Sequence, residues 1–98
     1  MNRVDAINRL RQTANAVKGM GATALYLFGS TVRDEAGKES DLDLFVDYDP
    51  GSRFNAFDLV GIKLLLEQKL QVAVDVTTRD SLHPRLKLGI ERSAVRIF

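Results

Sequence analysis

The 98-residue sequence carries 14 basic and 13 acidic side chains, is 45% hydrophobic and contains no cysteine. This length predicts one small domain over residues 1–98, with enough apolar residues to build a core. The absence of cysteine excludes disulfides and thiolate metal sites, and the balanced charge argues against a dedicated nucleic-acid-binding protein. The polar N-terminal segment is unlike a signal peptide, and no apolar run approaches the roughly 20 residues of a membrane-spanning helix. We therefore expect a cytoplasmic protein without membrane contact.

The net charge of +1 conceals a segregation of charge along the chain. Residues 21–50 contain seven acidic and two basic side chains, whereas both ends of the chain are basic. A concentration of like charge is unfavourable unless a cation or a partner neutralises it. A solvated acidic loop is the alternative, but two of these acids alternate with apolar residues, as side chains do in a strand.

The hydrophobic pattern predicts three helices and four strands. In chain order, these are a helix at residues 3–18, strands at 23–28 and 41–48, a helix at 53–68, a strand at 70–77, a helix that begins near Ser81, and a short edge strand at 95–98. Asn2 and Ser52 are the predicted N-caps of the first two helices, and Gly19 and Gly21 end the first one.

The order of these elements also predicts the topology. A helical crossover between the second and third strands makes them parallel neighbours, whereas a short link that turns at Gly37 lets the first and second strands pair antiparallel. The predicted fold is α/β (α+β), with a three- to four-stranded mixed sheet flanked by helices and the second strand in the middle. Gly61 is expected to permit close packing on the sheet, and the other helical side chains predicted to face inward are Phe54, Phe57, Ile62, Leu65, Leu66, Leu82, Leu86 and Ile90.

Asp41 and Asp43 are two residues apart in the second predicted strand. Both carboxylates therefore project from one face, about 7 Å apart at their Cα atoms. Carboxylate oxygens on a rigid element suit Mg²⁺, which accepts one or two carboxylates and leaves its other positions to water and phosphate. Two such ions about 3.5–4 Å apart can activate one oxygen and stabilise the leaving one. By itself, this pair of aspartates is a weak signal.

Gly29 and Ser30 lie between a buried strand and a predicted helical turn at residues 31–34. A glycine there lets backbone N–H groups approach a phosphate, the serine hydroxyl adds a donor, and Arg33 follows one turn later. An ordinary tight turn is the alternative. The combination is more specific, because Gly-Ser, nine residues and then Ser-Asp-Leu-Asp arises by chance about once in 10³ chains of this length.

Asp75 is the single charged residue among residues 70–78. A carboxylate in such an apolar strand needs a partner, either a metal ion or a structural salt bridge. Asp47 and Asp49 lie beyond the aspartate pair, and we expect them on the rim of the site.

The residues of these motifs resemble the nucleotidyltransferase superfamily of DNA polymerase β type. The matching positions are Gly29, Ser30, Arg33 and the segment Ser40-Asp41-Leu42-Asp43-Leu44. In size and in its ending, VDVTTRDSLHPRLKLGI, the chain is most similar to the minimal nucleotidyltransferases, the MntA-like antitoxin proteins found beside HEPN-domain partners. The resemblance implies an α-β-turn-β-α-β core. It also implies transfer of NMP, with AMP from ATP expected, from an NTP to a hydroxyl with two Mg²⁺ ions, for which Mn²⁺ can substitute.

The resemblance further implies roles for individual residues. Asp41 and Asp43 correspond to metal ligands. Asp75 corresponds to a third carboxylate, which binds the catalytic metal and helps to deprotonate the acceptor. The positions expected to bind the nucleotide are Gly29, Ser30, Arg33 and Ser40.

The acceptor that the resemblance implies is a tyrosine of a HEPN-domain toxin, which makes this chain the antitoxin of a toxin–antitoxin pair. A small hydroxylated molecule is the competing acceptor, as in the aminoglycoside-modifying relatives, although those enzymes usually carry additional elements. Neither a thumb nor a fingers domain is predicted, nor a strongly positive surface. We therefore do not expect a stable nucleic-acid template.

The sequence departs from the family pattern beside the expected triphosphate site. Val32 and Asp34 replace the small residue and the glycine that usually flank the arginine. Because Asp34 brings a negative charge close to the phosphates, it favours a second hypothesis, an inert family member that acts by covering a partner protein. The lone His83 precedes Pro84 at a predicted helix start, and we interpret it as a capping or surface residue rather than a base.

Overall fold

The computed structural model describes residues 1–33 and 41–98, and within them it contains four α-helices, a short 3₁₀ turn and four strands. In chain order these are α1 (Arg3–Arg11), α2 (Ala14–Gly19), β1 (Ala22–Phe28), β2 (Leu42–Tyr48), α3 (Ala56–Leu70), β3 (Val74–Thr78), the 3₁₀ turn (Arg79–Ser81), α4 (Pro84–Ser93) and β4 (Val95–Arg96). After β1 the chain turns, and the described part of this turn ends at Arg33. The residues outside the described ranges include Asp34, Gly37, where the chain was predicted to reverse, and Ser40. None of the helices in the described ranges has the length and apolar character needed to cross a membrane.

The N-terminal helix predicted over residues 3–18 is divided into α1 and α2 around Thr13. Thr13 is buried, and its hydroxyl donates a 2.6 Å hydrogen bond to the carbonyl oxygen of Leu10. Its N–H bonds to the same carbonyl at 2.9 Å, and this tighter turn interrupts the α-helical ladder. The apolar spacing continues across the break, so periodicity could not detect it. The predicted cap is confirmed, because the Asn2 side chain accepts a 2.8 Å hydrogen bond from the Asp5 N–H.

Helix α3 begins later than predicted, and Ser52 is not its N-cap. The cap is Asn55, whose side chain accepts from the Phe57 N–H at 2.8 Å, while the Asp58 carboxylate accepts from the Asn55 N–H at 2.9 Å. The Ser52 hydroxyl instead donates to the carbonyl oxygen of Asp49 in the preceding turn, at 2.6 Å. Serine and asparagine are both common caps, and the reciprocal bond with an acidic residue three positions later selects Asn55.

Replacing Asn55 with alanine should lower the free energy of unfolding by about 1 kcal/mol, because the cap of α3 is lost. For a domain of this size, the melting temperature should fall by about 4–8 °C, as measured by circular dichroism. Ser52→Ala is the matched control and should cost less, because the Ser52 hydroxyl bonds within the preceding turn rather than to the helix. Equal losses in the two variants would contradict the assignment of the cap.

The strands form a mixed sheet in the order β3-β2-β1-β4. Strand β1 pairs antiparallel with β2 and β4, and β2 pairs parallel with β3. These pairings confirm the predicted topology, with β2 inside the sheet and β4 as an edge strand. Strand β3 is shorter than predicted, because α3 continues to Leu70 and ends at Gln71, which adopts a left-handed conformation with φ of 57°.

The two faces of the sheet lie in different environments, as the alternation of side chains along the strands requires. One face packs against α1, α2 and α3 in a shared core. The buried members of this core are Ala6, Leu10, Val17, Ala22, Leu25, Leu27, Leu42, Leu44, Val46, Ile62, Leu66, Leu70, Val74, Val76 and Ile97. On the other face, Tyr26 stacks on Phe45 with 4.7 Å between ring centroids, and Phe28 lies 5.7 Å from Phe45.

Helix α3 contributes Ile62 and Leu66 to the core as predicted, but Phe57 is 88% exposed. At 3.6 residues per turn, Phe57 lies on the opposite side of the helix from these two residues, so the prediction for Phe57 was wrong. Gly61 does permit a close approach, although to Met20 rather than to the sheet. A Cβ at position 61 would lie 2.7 Å from the Met20 Cε.

Helix α4 begins at Pro84, after the predicted start near Ser81, and it is capped by His83. The His83 Nδ1 accepts a 3.2 Å hydrogen bond from the Arg85 N–H, so the interpretation of His83 as a capping residue is confirmed. Leu82 is buried, but Leu86, predicted to face inward, is 59% exposed. Helix α4 has no fully buried residue and Ile90 is half-buried, so polar contacts contribute to holding the helix in place.

Arg79 provides such contacts. Its Nε and Nη2 donate to the two carboxylate oxygens of Asp47 on β2 at 2.7 and 2.9 Å, and its Nη1 donates to Glu91 on α4 at 2.6 Å. The guanidinium also lies over the rings of Tyr26 and Phe45, 4.8 and 5.0 Å from their centroids. The bonds to Asp47 and then to Glu91 raise the pKa of Arg79 above its ordinary value. Asp47 is therefore a structural partner of Arg79, and together they attach α4 to the sheet.

Candidate active site

Asp43 lies near the start of β2, between β1 and β3. It is in register with Phe28, the last residue of β1, and with Asp75 on β3. Residues in register on neighbouring strands project to the same face of the sheet. The carboxylates of Asp43 and Asp75 are therefore neighbours, on the sheet edge where the turn after β1 begins.

Charge and burial both act on the Asp43 carboxyl. Its pKa is raised, mainly because the group is partly buried and then because Asp75 and Asp41 place negative charge beside it, whereas Arg33 acts in the opposite direction. Asp41 is exposed immediately before β2. The three sequence-predicted aspartates thus interact electrostatically around Asp43, and a bound cation would offset their repulsion.

Gly29 packs directly against Asp43. Its φ of +81° is one that residues with a side chain rarely adopt. A Cβ at this position would also lie 2.5 Å from the Asp43 Oδ2. The sequence indicated a glycine for close approach to phosphate. The structure adds a second reason, because the missing side chain leaves room for the Asp43 carboxylate against the turn.

The turn after β1 carries three further polar side chains. Ser30 is half-buried and Arg33 is exposed. Thr31, between them, is 1% exposed, and its hydroxyl has no hydrogen-bond partner among the described residues. Buried hydroxyl groups usually have a hydrogen-bond partner. Because the Thr31 hydroxyl could bond to a ligand in this turn, Thr31 is a further candidate site residue. Sequence reasoning missed it because threonine is common in turns and its burial depends on the fold. Ser40, the remaining predicted nucleotide-binding residue, lies outside the described ranges.

The aspartates are candidate Mg²⁺ ligands. Across residues 1–33 and 41–98, no three His, Cys, Asp or Glu side chains are grouped closely enough to hold a metal ion, so the aspartates do not form a closed three-carboxylate site. The donor chemistry nonetheless suits Mg²⁺, which typically takes one or two protein carboxylates and completes its shell with phosphate and water. The neighbouring Asp43 and Asp75, with the repulsion that a cation would relieve, fit that arrangement.

The chain is similar in sequence to known proteins. The family model described as a nucleotidyltransferase domain matches residues 10–97. A Methanocaldococcus jannaschii protein named "Putative protein adenylyltransferase MJ0435" is 39% identical over 78 residues, which are 80% of this chain and 82% of the relative.

Two solved structures share the fold. One, described as "Structure of putative minimal nucleotidyltransferase", is 34% identical, has a TM-score of 0.82 and is aligned over 97% of this chain and 95% of its own. The other comes from a tri-AMPylated Shewanella oneidensis HEPN toxin in complex with MNT antitoxin. It has a TM-score of 0.64, and the alignment covers 90% of this chain and 68% of the other chain. Because the two sequences are only 15% identical, this likeness shows the fold alone. The mixed sheet with flanking helices is the nucleotidyltransferase fold, as predicted.

Proposed function

This chain belongs to the nucleotidyltransferase domain family, and from that premise we propose that it transfers AMP from ATP to a hydroxyl group of a partner protein. The observation that carries the proposal is the pairing of Asp43 with Asp75 in register on parallel strands. Gly29, which packs against Asp43, brings the expected phosphate-binding turn to the same place.

The proposed Mg²⁺ ligands are Asp41, Asp43 and Asp75, for two ions that Mn²⁺ can replace. When bound, Mg²⁺ would neutralise phosphate charge and favour deprotonation of the acceptor hydroxyl. Asp43 is flanked by the other two carboxylates, so it is the residue best placed to serve both ions. Asp75 is exposed on β3, an edge strand of the described sheet, where an acceptor can approach it.

In the proposed reaction, the acceptor oxygen forms a bond to the α-phosphorus of ATP while the bond from that phosphorus to the bridging β-phosphate oxygen breaks. The acceptor proton passes to the Asp75 carboxylate, and pyrophosphate leaves with the electron pair. The backbone at Gly29 and the hydroxyl of Ser30 donate hydrogen bonds to the triphosphate, Arg33 supplies positive charge, and Ser40 is the further nucleotide-binding residue that we propose.

For the partner we propose a HEPN-domain toxin with a tyrosine acceptor, so that the chain acts as an antitoxin. Two findings support this choice. The relative that is 39% identical is named for adenylyl transfer to protein, and the fold occurs in a complex of an AMPylated HEPN toxin with its antitoxin. The near-neutral net charge of +1 supports a protein acceptor over a nucleic-acid template.

The test is a transfer reaction with ATP labelled at the α-phosphate, Mg²⁺ and the protein product of the gene adjacent to this one. Mass spectrometry should locate AMP on a tyrosine of that protein, and the Asp43→Asn chain should transfer far less. Parallel reactions contain an aminoglycoside or a nucleic-acid end as acceptor. Label on either of these, and never on the protein, would overturn the proposal.

A second candidate function is a binding module that neutralises its partner without transfer. The absence of a three-carboxylate group within the described ranges favours it, as does Asp34 in place of the family's glycine. Tight binding of the neighbouring protein without transfer to any acceptor would support this alternative.

A further inference from the structure

A groove of about 310 Å³ lies beside the candidate site, between the turn after β1 and helix α4. Its volume is at the small end of the range for ligand-binding pockets. Its lining includes Phe28, Gly29 and Arg33 on the sheet side and Arg85, Leu86 and Ile90 on α4. The groove therefore adds α4 to the surroundings of the site, although no residue of α4 stood out in the sequence as a site residue.

The described lining of the groove is basic. Among the residues of 1–33 and 41–98 that line it, the charged ones are Arg33 and Arg85, and none is a carboxylate. The Asp43 carboxylate lies against Gly29, at the border of the groove. The site thus has an acidic part suited to metal and a basic part suited to phosphate. Guanidinium groups bind phosphate oxygens through paired, charge-assisted hydrogen bonds.

Arg85 is available to a ligand. Its side chain is exposed, and its guanidinium makes neither a hydrogen bond nor an ion pair with any described residue. The helix that carries it is attached to the sheet by the 2.6 Å contact of Arg79 with Glu91. A Cβ at Gly89, one turn along the groove side of α4, would meet no atom within 4 Å, so this side of the groove has open space.

We propose that Arg85 joins Arg33 in binding the β- and γ-phosphates of ATP, which leave as pyrophosphate in the reaction above. The inference rests on the proposed function for the reaction, but the phosphate site can be tested without an acceptor. Negative charge accumulates on the pyrophosphate as its bond to the α-phosphorus breaks, and two guanidinium groups stabilise that charge. Phe28, Leu86 and Ile90 line the same groove and give it apolar walls beside the two guanidinium groups.

Isothermal titration calorimetry with pyrophosphate, ATP and AMP, each in Mg²⁺, tests the proposal. Arg85→Ala should weaken binding of pyrophosphate and ATP at least about tenfold, because charge-assisted hydrogen bonds are lost, and should leave AMP binding unchanged. Arg92→Ala is the matched control, since Arg92 is an exposed arginine of the same helix that does not line the groove. It should leave the affinity for all three ligands unchanged. Arg85→Lys retains the charge without the planar fork and should restore only part of the affinity.

Equal weakening by Arg85→Ala and Arg92→Ala would overturn the proposal, because it would indicate a long-range charge effect. If Arg85→Ala loses affinity for AMP but keeps its affinity for pyrophosphate, the proposal is also overturned, because the groove would then hold the nucleoside. It is overturned as well if the parent chain binds no pyrophosphate.

The proposed function can fail separately. If Arg85 is needed for pyrophosphate binding but no protein is labelled, the phosphate site stands without the transfer reaction. If Arg85→Ala labels the partner with an unchanged KM for ATP, the phosphate site is wrong and the transfer reaction stands.

Discussion

Asp43→Asn is expected to reduce AMP transfer by about 10³-fold or more and, at the same time, to stabilise the protein in the absence of metal. The loss of activity follows because Asp43 is the carboxylate that lies between β1 and Asp75, and preorganised charge at a reacting phosphate is worth several powers of ten in rate. The gain in stability follows because the substitution removes a partly buried negative charge beside Asp75 and Asp41. Activity and thermal unfolding are measured on the same preparation.

The same variant should change how stability depends on pH. The pKa of Asp43 in the folded protein is raised, mainly by burial and then by Asp75 and Asp41. Between its unfolded-state pKa and this higher value, the folded state binds more protons than the unfolded state. The contribution of Asp43 to stability therefore falls as pH rises through that interval and stays unfavourable at neutral pH. Denaturant unfolding of both proteins from acid to neutral pH should show that the advantage of Asp43→Asn appears as pH rises.

Mg²⁺ provides the complementary readout. It should raise the melting temperature of the parent chain, because it binds the folded state, and it should have little effect on Asp43→Asn. Asp49→Asn is the control. It removes a nearby exposed carboxylate, yet asparagine can still accept the 2.9 Å hydrogen bond from the Gly51 N–H. The control should retain both activity and the Mg²⁺ response. An unchanged Mg²⁺ response in Asp43→Asn would place the metal elsewhere.

Gly29→Ala is expected to reduce the transfer rate by about 10²-fold and to destabilise the fold. The φ of +81° should cost an alanine roughly 1–2 kcal/mol, which corresponds to a fall in melting temperature of at least about 4 °C. The new Cβ would also meet the Asp43 Oδ2 at 2.5 Å, so the carboxylate or the turn must move. A displacement of about 1 Å at reacting groups is enough for a loss of this size in rate.

Gly19→Ala separates these effects from a general intolerance of substitution. Gly19 ends α2, does not have a positive φ, and would bring its Cβ within 4 Å of no other atom. This variant should retain activity and either match the parent chain in stability or exceed it by up to about 1 kcal/mol. If Gly29→Ala keeps full activity despite losing stability, the contact between Gly29 and Asp43 has no role in the reaction.

Much of this site could be predicted from the sequence, because local patterns determine it. Alternation of apolar residues places Asp41 and Asp43 at the start of a strand, and the isolated charge of Asp75 marks the next one. The crossover helix makes those strands parallel, as observed. The Gly29–Ser30 turn was recognisable because few residues other than glycine suit such a position.

Hydrophobic periodicity missed two local features. The choice of Asn55 over Ser52 as a cap and the break at Thr13 are each set by hydrogen bonds between residues three positions apart, which this periodicity does not encode. The tertiary structure decided the features that depend on distant residues. The attachment of α4 by Arg79 joins residues on three separate elements.

Three features of the site share one physical origin. They are the register that sets Asp43 beside Asp75, the contact of Gly29 with the Asp43 carboxylate, and the groove that adds Arg85. Each depends on how strands and helices are offset against one another in space. A local pattern specifies the face on which a side chain lies, because that follows from the period of a strand or helix. It does not specify the neighbour across the sheet, because the offset is set by packing of the whole core.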